Sequence, residues 1–244
     1  MVDPARQHAD RVWAARYGVE TGAALRFGSL SRRMWEAGAP EALVELAARA
    51  SRDETRHASR CEDVLRSRQA PVPAPETRLL EYAPLELTPE QRLTYEVVAQ
   101  SCVSETESMA TLVTLLDAAS TEFLRDVLHE LARDEVAHAR LGWGYLAWAK
   151  QRMDLAFLVP MLPRMVAGSA GPDLFRPALP GTDDQALFHA GVVPHSERQR
   201  VYLETLEAVV IPGVAEHGID AGPLRDWVDA RRAALVTDTP VVGA

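Results

Sequence analysis

The chain has 244 residues, 47% hydrophobic and 25% charged, with a net charge of −9, the make-up of an ordinary soluble globular protein. The acidic balance disfavours DNA or RNA as a partner, and two cysteines, Cys61 and Cys102, are too few for a disulfide framework or a four-cysteine metal site. No run reaches the roughly 18 uncharged apolar residues of a membrane span, and the opening MVDPARQHADRVW carries no apolar signal core, so the expected location is cytoplasmic, with no membrane partner.

From about residue 6 to residue 151 the sequence reads as helix. Ala, Leu, Arg and Glu dominate, β-branched runs are missing, and apolar residues recur every three and four positions. Gly38 and Pro40 divide the first stretch into helices over about 6–37 and 40–68. Pro71, Pro73, Pro75, Pro84 and Pro89 then forbid a continuous helix. Thr88-Pro89-Glu90-Gln91 is a helix start, with Thr as N-cap, Pro at the first position and Gln closing a capping box. This third helix is expected to reach about 118, and Ser120 to cap a fourth reaching about 151. A connection of roughly twenty residues is more than an antiparallel neighbour needs and suits a crossover along the length of a bundle. Helices one and two therefore make one hairpin, and three and four another. After Pro160 the pattern weakens. Residues 167–185 read as loop, Ser196-Glu197-Arg198-Gln199 repeats the capping-box signature ahead of a helix to about 217, and Pro223 begins a last short helix before a polar tail. The expected architecture is all-α: a four-helix bundle over residues 1–151 and a C-terminal helical extension, 152–244, packed on it.

Two E-x-x-H motifs occur, and they match each other: Arg52-Asp53-Glu54-Thr55-Arg56-His57 and Arg133-Asp134-Glu135-Val136-Ala137-His138. Each lies on the second helix of a hairpin, and the first helix of each carries a Glu-Thr pair, Glu20-Thr21 and Glu105-Thr106. The spacing from lone Glu to E-x-x-H is 34 residues in one half and 30 in the other, the mark of a duplicated hairpin. Residues three apart share a helix face. Around Glu54 and His57 that face runs through Leu43, Ala47, Ala50, Cys61 and Leu65; around Glu135 and His138 it runs through Leu124, Leu128, Leu131, Gly142 and Tyr145. Glu20 falls in line with Trp13, Tyr17, Ala24 and Phe27, and Glu105 with Val98, Cys102, Met109 and Leu112. The pattern places four carboxylates and two imidazoles in an apolar interior. An unpaired buried carboxylate costs several kcal/mol or is protonated, whereas two divalent cations cancel all four charges. Carboxylate with imidazole suits iron or manganese; zinc's structural sites are richer in Cys or His. Glu20, Glu54, His57, Glu105, Glu135 and His138 are the candidate ligands of a two-metal centre.

At these residues the chain resembles the ferritin-like di-metal carboxylate superfamily. The order Glu, E-x-x-H, Glu, E-x-x-H over Glu20 to His138 is the superfamily's own. The contexts VETGA, RDETRH, CVSETES and RDEVAH also look like a group of bacterial ferritin-like proteins of unassigned function. The resemblance covers roughly the first 150 residues. It implies a ferritin-like bundle and a cofactor of two iron ions, alternatively manganese, about 3.5–4 Å apart. It also implies that Glu54 and Glu135 bridge the ions and that Asp53 and Asp134 each support a ligand histidine. Each Asp precedes its Glu by one residue and so points about 100° away from it, towards the facing helix. If the hairpins are related by a pseudo-twofold axis, those bonds cross, Asp53 to His138 and Asp134 to His57. Cys61 and Cys102 on the ligand stripe, and Tyr17 one turn before Glu20, are read as core packing. His8, His129, His189, His195 and His217 match no ligand spacing.

The activity that the resemblance implies is a non-haem di-iron oxidase or oxygenase, using dioxygen to oxidise a small organic molecule. Relatives of that kind include aldehyde-deformylating oxygenases and acyl desaturases. The alternatives are ferritin-like handling of ferrous iron and a di-manganese catalase-like activity. A rubrerythrin-type peroxidase would need a four-cysteine iron site, which two cysteines cannot build, a ferritin cage would be obstructed by the C-terminal extension, and the acidic balance argues against a tRNA substrate. A homodimer is left open.

Overall fold

The structure, a computed structural model, describes residues 3–171, 173–176 and 183–237. The polar tail expected after the last helix lies outside the described residues from 238 onward. α1 (Pro4–Glu36) and α2 (Glu41–Ser67) form a hairpin turned by Gly38, whose φ of 71° is the left-handed conformation that glycine takes without strain. The next helix begins where Thr88 caps it: the Thr88 hydroxyl accepts from Gln91 N, and the Gln91 side chain accepts from Thr88 N. It runs as α3 (Pro89–Val97), a π-helical segment (Val98–Ser104) and α4 (Glu105–Leu115), and pairs with α5 (Glu122–Ala149).

The crossover can be followed from its contacts with α1. Arg68 bonds to Asp10, Glu76 N donates to the Thr21 hydroxyl, the Tyr82 ring lies under Arg26, and Glu96 of α3 pairs with Arg33. The partners on α1 advance from residue 10 to residue 33, so the connection climbs the whole helix and α3 descends antiparallel to it. The two hairpins meet through α2 against α5, the helices that carry the E-x-x-H motifs.

The buried apolar residues fall into two clusters. One is built around Trp13, Leu65, Leu115 and Leu128, the other around Phe27, Val98, Leu141 and Tyr145. Between them lies a layer of buried acids and histidines. Each fully buried large apolar side chain contributes roughly 1.5–3 kcal/mol to the fold, which sustains the polar layer between the clusters. Gly142 lets the π segment press against α5: a Cβ there would stand 2.6 Å from Cys102 Sγ and 2.9 Å from Cys102 N.

The chain beyond residue 150 adds a 3-10 turn (Ala156–Met161), α6 (Leu162–Ala170), α7 (Asp184–His189), α8 (His195–Thr205), a second π segment (Leu206–Val210), α9 (Ile211–Glu216) and α10 (Gly222–Thr237). α8 packs on α4, α6 on the first π segment and α7 on α1, where Trp13 Nε1 donates to Ala190 O at 2.9 Å. Among the described residues no helix is long and apolar enough to cross a membrane.

Several local expectations are corrected. α5 is capped by Thr121, which accepts from Leu124 N, because Ser120 turns its hydroxyl to His189 O instead. Ser196 lies inside α8, whose N-cap is Pro194 with no side-chain cap, so the helix starts two residues earlier than a Ser196 cap would place it. The 167–185 loop is shorter than expected, since α6 runs to Ala170 and Asp183 caps α7; residues 172 and 177–182 lie outside the described residues. The third helix holds a π segment where an unbroken α-helix was expected.

Candidate metal centre

Glu20 comes from α1, Glu54 and His57 from α2, Glu105 from the first turn of α4, and Glu135 and His138 from α5. All six are at most 5% exposed. They form two overlapping sets, Glu20–Glu54–His57–Glu135 and Glu54–Glu105–Glu135–His138, in each of which donor atoms lie within 4.8 Å of one another. Glu54 and Glu135 belong to both. Each histidine turns Nδ1 inward. His138 Nδ1 is 3.0 Å from both Glu54 Oε1 and Glu135 Oε2, and His57 Nδ1 is 3.3 Å from Glu54 Oε2 and 3.9 Å from Glu20 Oε2. The two rings are 5.8 Å apart between centroids. Four carboxylates and two ring nitrogens converging on two neighbouring points are a donor set that could hold a pair of metal ions.

The opposite ring nitrogens point outward, and their bonds cross between the helices. His57 Nε2 donates to Asp134 Oδ2 at 3.3 Å, and His138 Nε2 to Asp53 Oδ2 at 3.4 Å. A proton held on Nε2 would leave Nδ1 as the atom able to face an ion. Arg56 ties the two aspartates together: its Nη2 donates to Asp53 Oδ1 at 2.9 Å and to Asp134 Oδ2 at 2.5 Å, while its Nε donates to Glu130 at 2.9 Å. Two further side chains reach the inner acids. Ser108 Oγ donates to Glu135 Oε1 at 2.9 Å, and Gln100 Nε2 donates to Glu105 Oε1.

Electrostatics in the metal-free cluster follow from burial. Burial, then the neighbouring Glu54 carboxylate, raises Glu20 well above the usual carboxylate range; burial, then Glu135 and Glu54, does the same to Glu105. Burial opposes ionisation of Glu54 too, but hydrogen bonds from His138 and His57 outweigh it and hold this group ionised. Burial disfavours a charged His138, yet bonds to Glu135 and Glu54 push it up to about 12, and Glu54 raises His57 likewise. Asp134 is held low despite burial by Arg133, Arg56 and His57. Burial raises both Cys61 and Cys102, so neither thiol is an activated nucleophile. Without metal, these shifts favour protons on Glu20, Glu105, His57 and His138, matching in number the four positive charges that two divalent ions would carry.

Compared with solved structures, the chain superposes over most of its length on a protein with aldehyde deformylating oxidase activity from Synechococcus. The TM-score is 0.58 and the identity 18%, over 93% of this chain and 98% of that one. The fold is ferritin-like. No protein-family model matches the sequence, and comparison with curated proteins finds no match.

Within this ferritin-like bundle, sequence reading passed over Arg56, Ser108 and Gln100. Arg56 was visible as a break in the symmetry of the motifs, the one that sets a charge against an apolar side chain, since its counterpart on α5 is Ala137. Ser108 follows Glu105 by three residues and so shares its face. Gln100 left no signal of its own. In an α-helix, residues five apart diverge by about 140°, and only the π segment, with its i→i+5 hydrogen bonds, brings Gln100 in line with Glu105.

Proposed function

We propose that this chain is a non-haem di-iron oxidase or oxygenase that uses dioxygen to oxidise a small organic substrate. Glu20 and His57 would hold one ion and Glu105 and His138 the other, with Glu54 and Glu135 available to both. The observation that carries this reading is that the two donor sets share those two glutamates. Two ions that share carboxylates can deliver electrons to one dioxygen molecule together, and that is the chemistry iron supplies when bound; manganese is the alternative ion for the same donors.

The chain's own part is positional. Asp53, Asp134 and Arg56 fix both imidazole tautomers, and the apolar clusters on either side keep bulk water from the buried acids. Support for an oxygenase over a ferritin-type iron store comes from the likeness at full length. The helices beyond residue 150 are part of what matches the Synechococcus protein, whose activity is an aldehyde deformylating one.

The test is anaerobic loading with ferrous ion, then dioxygen. Two irons bound per chain, oxidised together and retained, are expected. Fewer than one metal per chain would sink the reading, and release of ferric iron as mineral would turn it to iron handling.

A further inference from the structure

We propose that Gln100, held by Arg26, is a positioning residue for Glu105, and that it makes the Glu105/His138 position the tighter of the two metal positions and the first to fill. The inference rests on the two-metal reading above. Gln100 is 4% exposed, and both ends of its amide are engaged. Arg26 Nε donates to Gln100 Oε1 at 2.6 Å, and Gln100 Nε2 donates to Glu105 Oε1. A guanidinium only donates and a carboxylate only accepts, so the amide has one sensible orientation. Turning it over would set N–H against N–H and oxygen against oxygen in a buried place where water cannot repair the loss.

Arg26 is itself held. Its guanidinium lies 5.1 Å from the Tyr82 ring of the crossover, and it rests over Gly22, where a Cβ would stand 2.9 Å from its Nη1. A chain of contacts thus runs from the crossover to Glu105. It occupies Glu105 Oε1 and leaves Oε2, at 4.0 Å from His138 Nδ1, to face an ion.

Glu20 has no such support. Among the described residues, no side chain outside the cluster donates a hydrogen bond to it. Arg16, one turn earlier, attracts it through charge alone, and Arg16 Nη1 is buried without a hydrogen-bond partner. Both positions have a histidine fixed by an aspartate, but only the second has its terminal carboxylate fixed as well. A ligand already in place loses less freedom when it binds. Outer partners of this kind change metal affinity by roughly 10–100-fold.

Repulsion between two cations would by itself make the second ion weaker, so the experiment must show which position fills first. Metal-depleted protein is titrated anaerobically with Mn2+ and followed by electron paramagnetic resonance. Free, singly bound and paired ions are distinguished by their spectra, and circular dichroism confirms that each variant is folded. Glu105→Ala should weaken the first step roughly 10–100-fold, while Glu20→Ala leaves it unchanged. Gln100→Leu should weaken the first step, spare the second and narrow the gap between them. Arg26→Met, which leaves Gln100 in place but unheld, should move the same way by less, and it carries the test if Gln100→Leu does not fold. The proposal is overturned if Glu20→Ala weakens the first step, or if the folded Gln100 or Arg26 variant shifts both steps equally or neither. Failure of the two-metal reading would look different, since the wild-type protein would then form no paired-ion signal at any loading.

Discussion

Loading the metal-free protein with two divalent ions should expel protons, and the number follows from the geometry. Glu20 and Glu105 are raised by burial and by their carboxylate neighbours, and His57 and His138 by the carboxylates bonded to their Nδ1 atoms. Each must lose its proton before that atom can bind an ion, so near pH 7 up to four protons leave per pair of ions. The pair's affinity then rises by up to a factor of ten per proton for each pH unit. Stability of the metal-free fold has a matching sign. The ordinary values are 4.5 for Glu20 and Glu105 and 6.5 for the histidines. Groups raised above those values support the fold fully below them, and that support is lost as pH climbs through the raised values, about 12 for His138. Glu54 runs the other way: its contribution is present above 4.5 and lost as pH falls through its depressed value. Between neutral and alkaline pH the metal-free protein should therefore weaken while its hold on metal grows. Calorimetric titration with Mn2+ in buffers of equal pH and different ionisation enthalpy counts the protons directly. Release of fewer than two per pair of ions would refute the charge balance argued here.

Arg56→Ala should cost roughly 10–100-fold in metal affinity with the helical circular dichroism intact, because both aspartates lose the group that joins them; equilibrium dialysis against Mn2+ checks it, and an unchanged affinity would show that the aspartates hold the histidines unaided. Asp53→Ala should disturb His138 and Asp134→Ala should disturb His57, which the Nε2–H resonances of the two rings can tell apart. Gly142→Ala should destabilise the fold by about 1–3 kcal/mol, since its Cβ would meet Cys102 Sγ at 2.6 Å and backbone nitrogen at 2.9 Å; denaturant midpoints would detect this, and an unshifted midpoint would mean that the π segment yields easily. Bound metal should stabilise the folded chain by about 2.7 kcal/mol at a hundredfold excess over its dissociation constant, visible as a rise in melting temperature that a chelator reverses.

The sequence alone determined the all-helical class, the two hairpins and the candidate site, because those features repeat at helical spacing. A Glu or His among Leu and Ala every third or fourth residue announces a buried polar layer wherever the helices end up, and two matching E-x-x-H motifs announce it twice. The prolines from Pro71 to Pro89 marked the crossover for the same local reason: they cannot continue a helix. Cap identity was harder. Ser120 and Thr121 are equally able to cap, and the choice fell to Thr121 because His189 O, brought near by the α7 turn, takes the Ser120 hydroxyl. What only the tertiary structure decided is whatever depends on two distant segments meeting at a set angle. Arg56 joins Asp53 to Asp134 across 78 residues of sequence to the second of them; the pseudo-twofold relation of the hairpins led to the crossed Asp–His bonds, but Arg56 has no symmetry mate and so no spacing to forecast it. The π segment is the clearest case. Its sequence, VAQSCVS, has no Gly or Pro to mark a break in the helix, but there it packs closely against Gly142 of α5, and its wider turn is what brings Gln100, and with it Arg26, to Glu105.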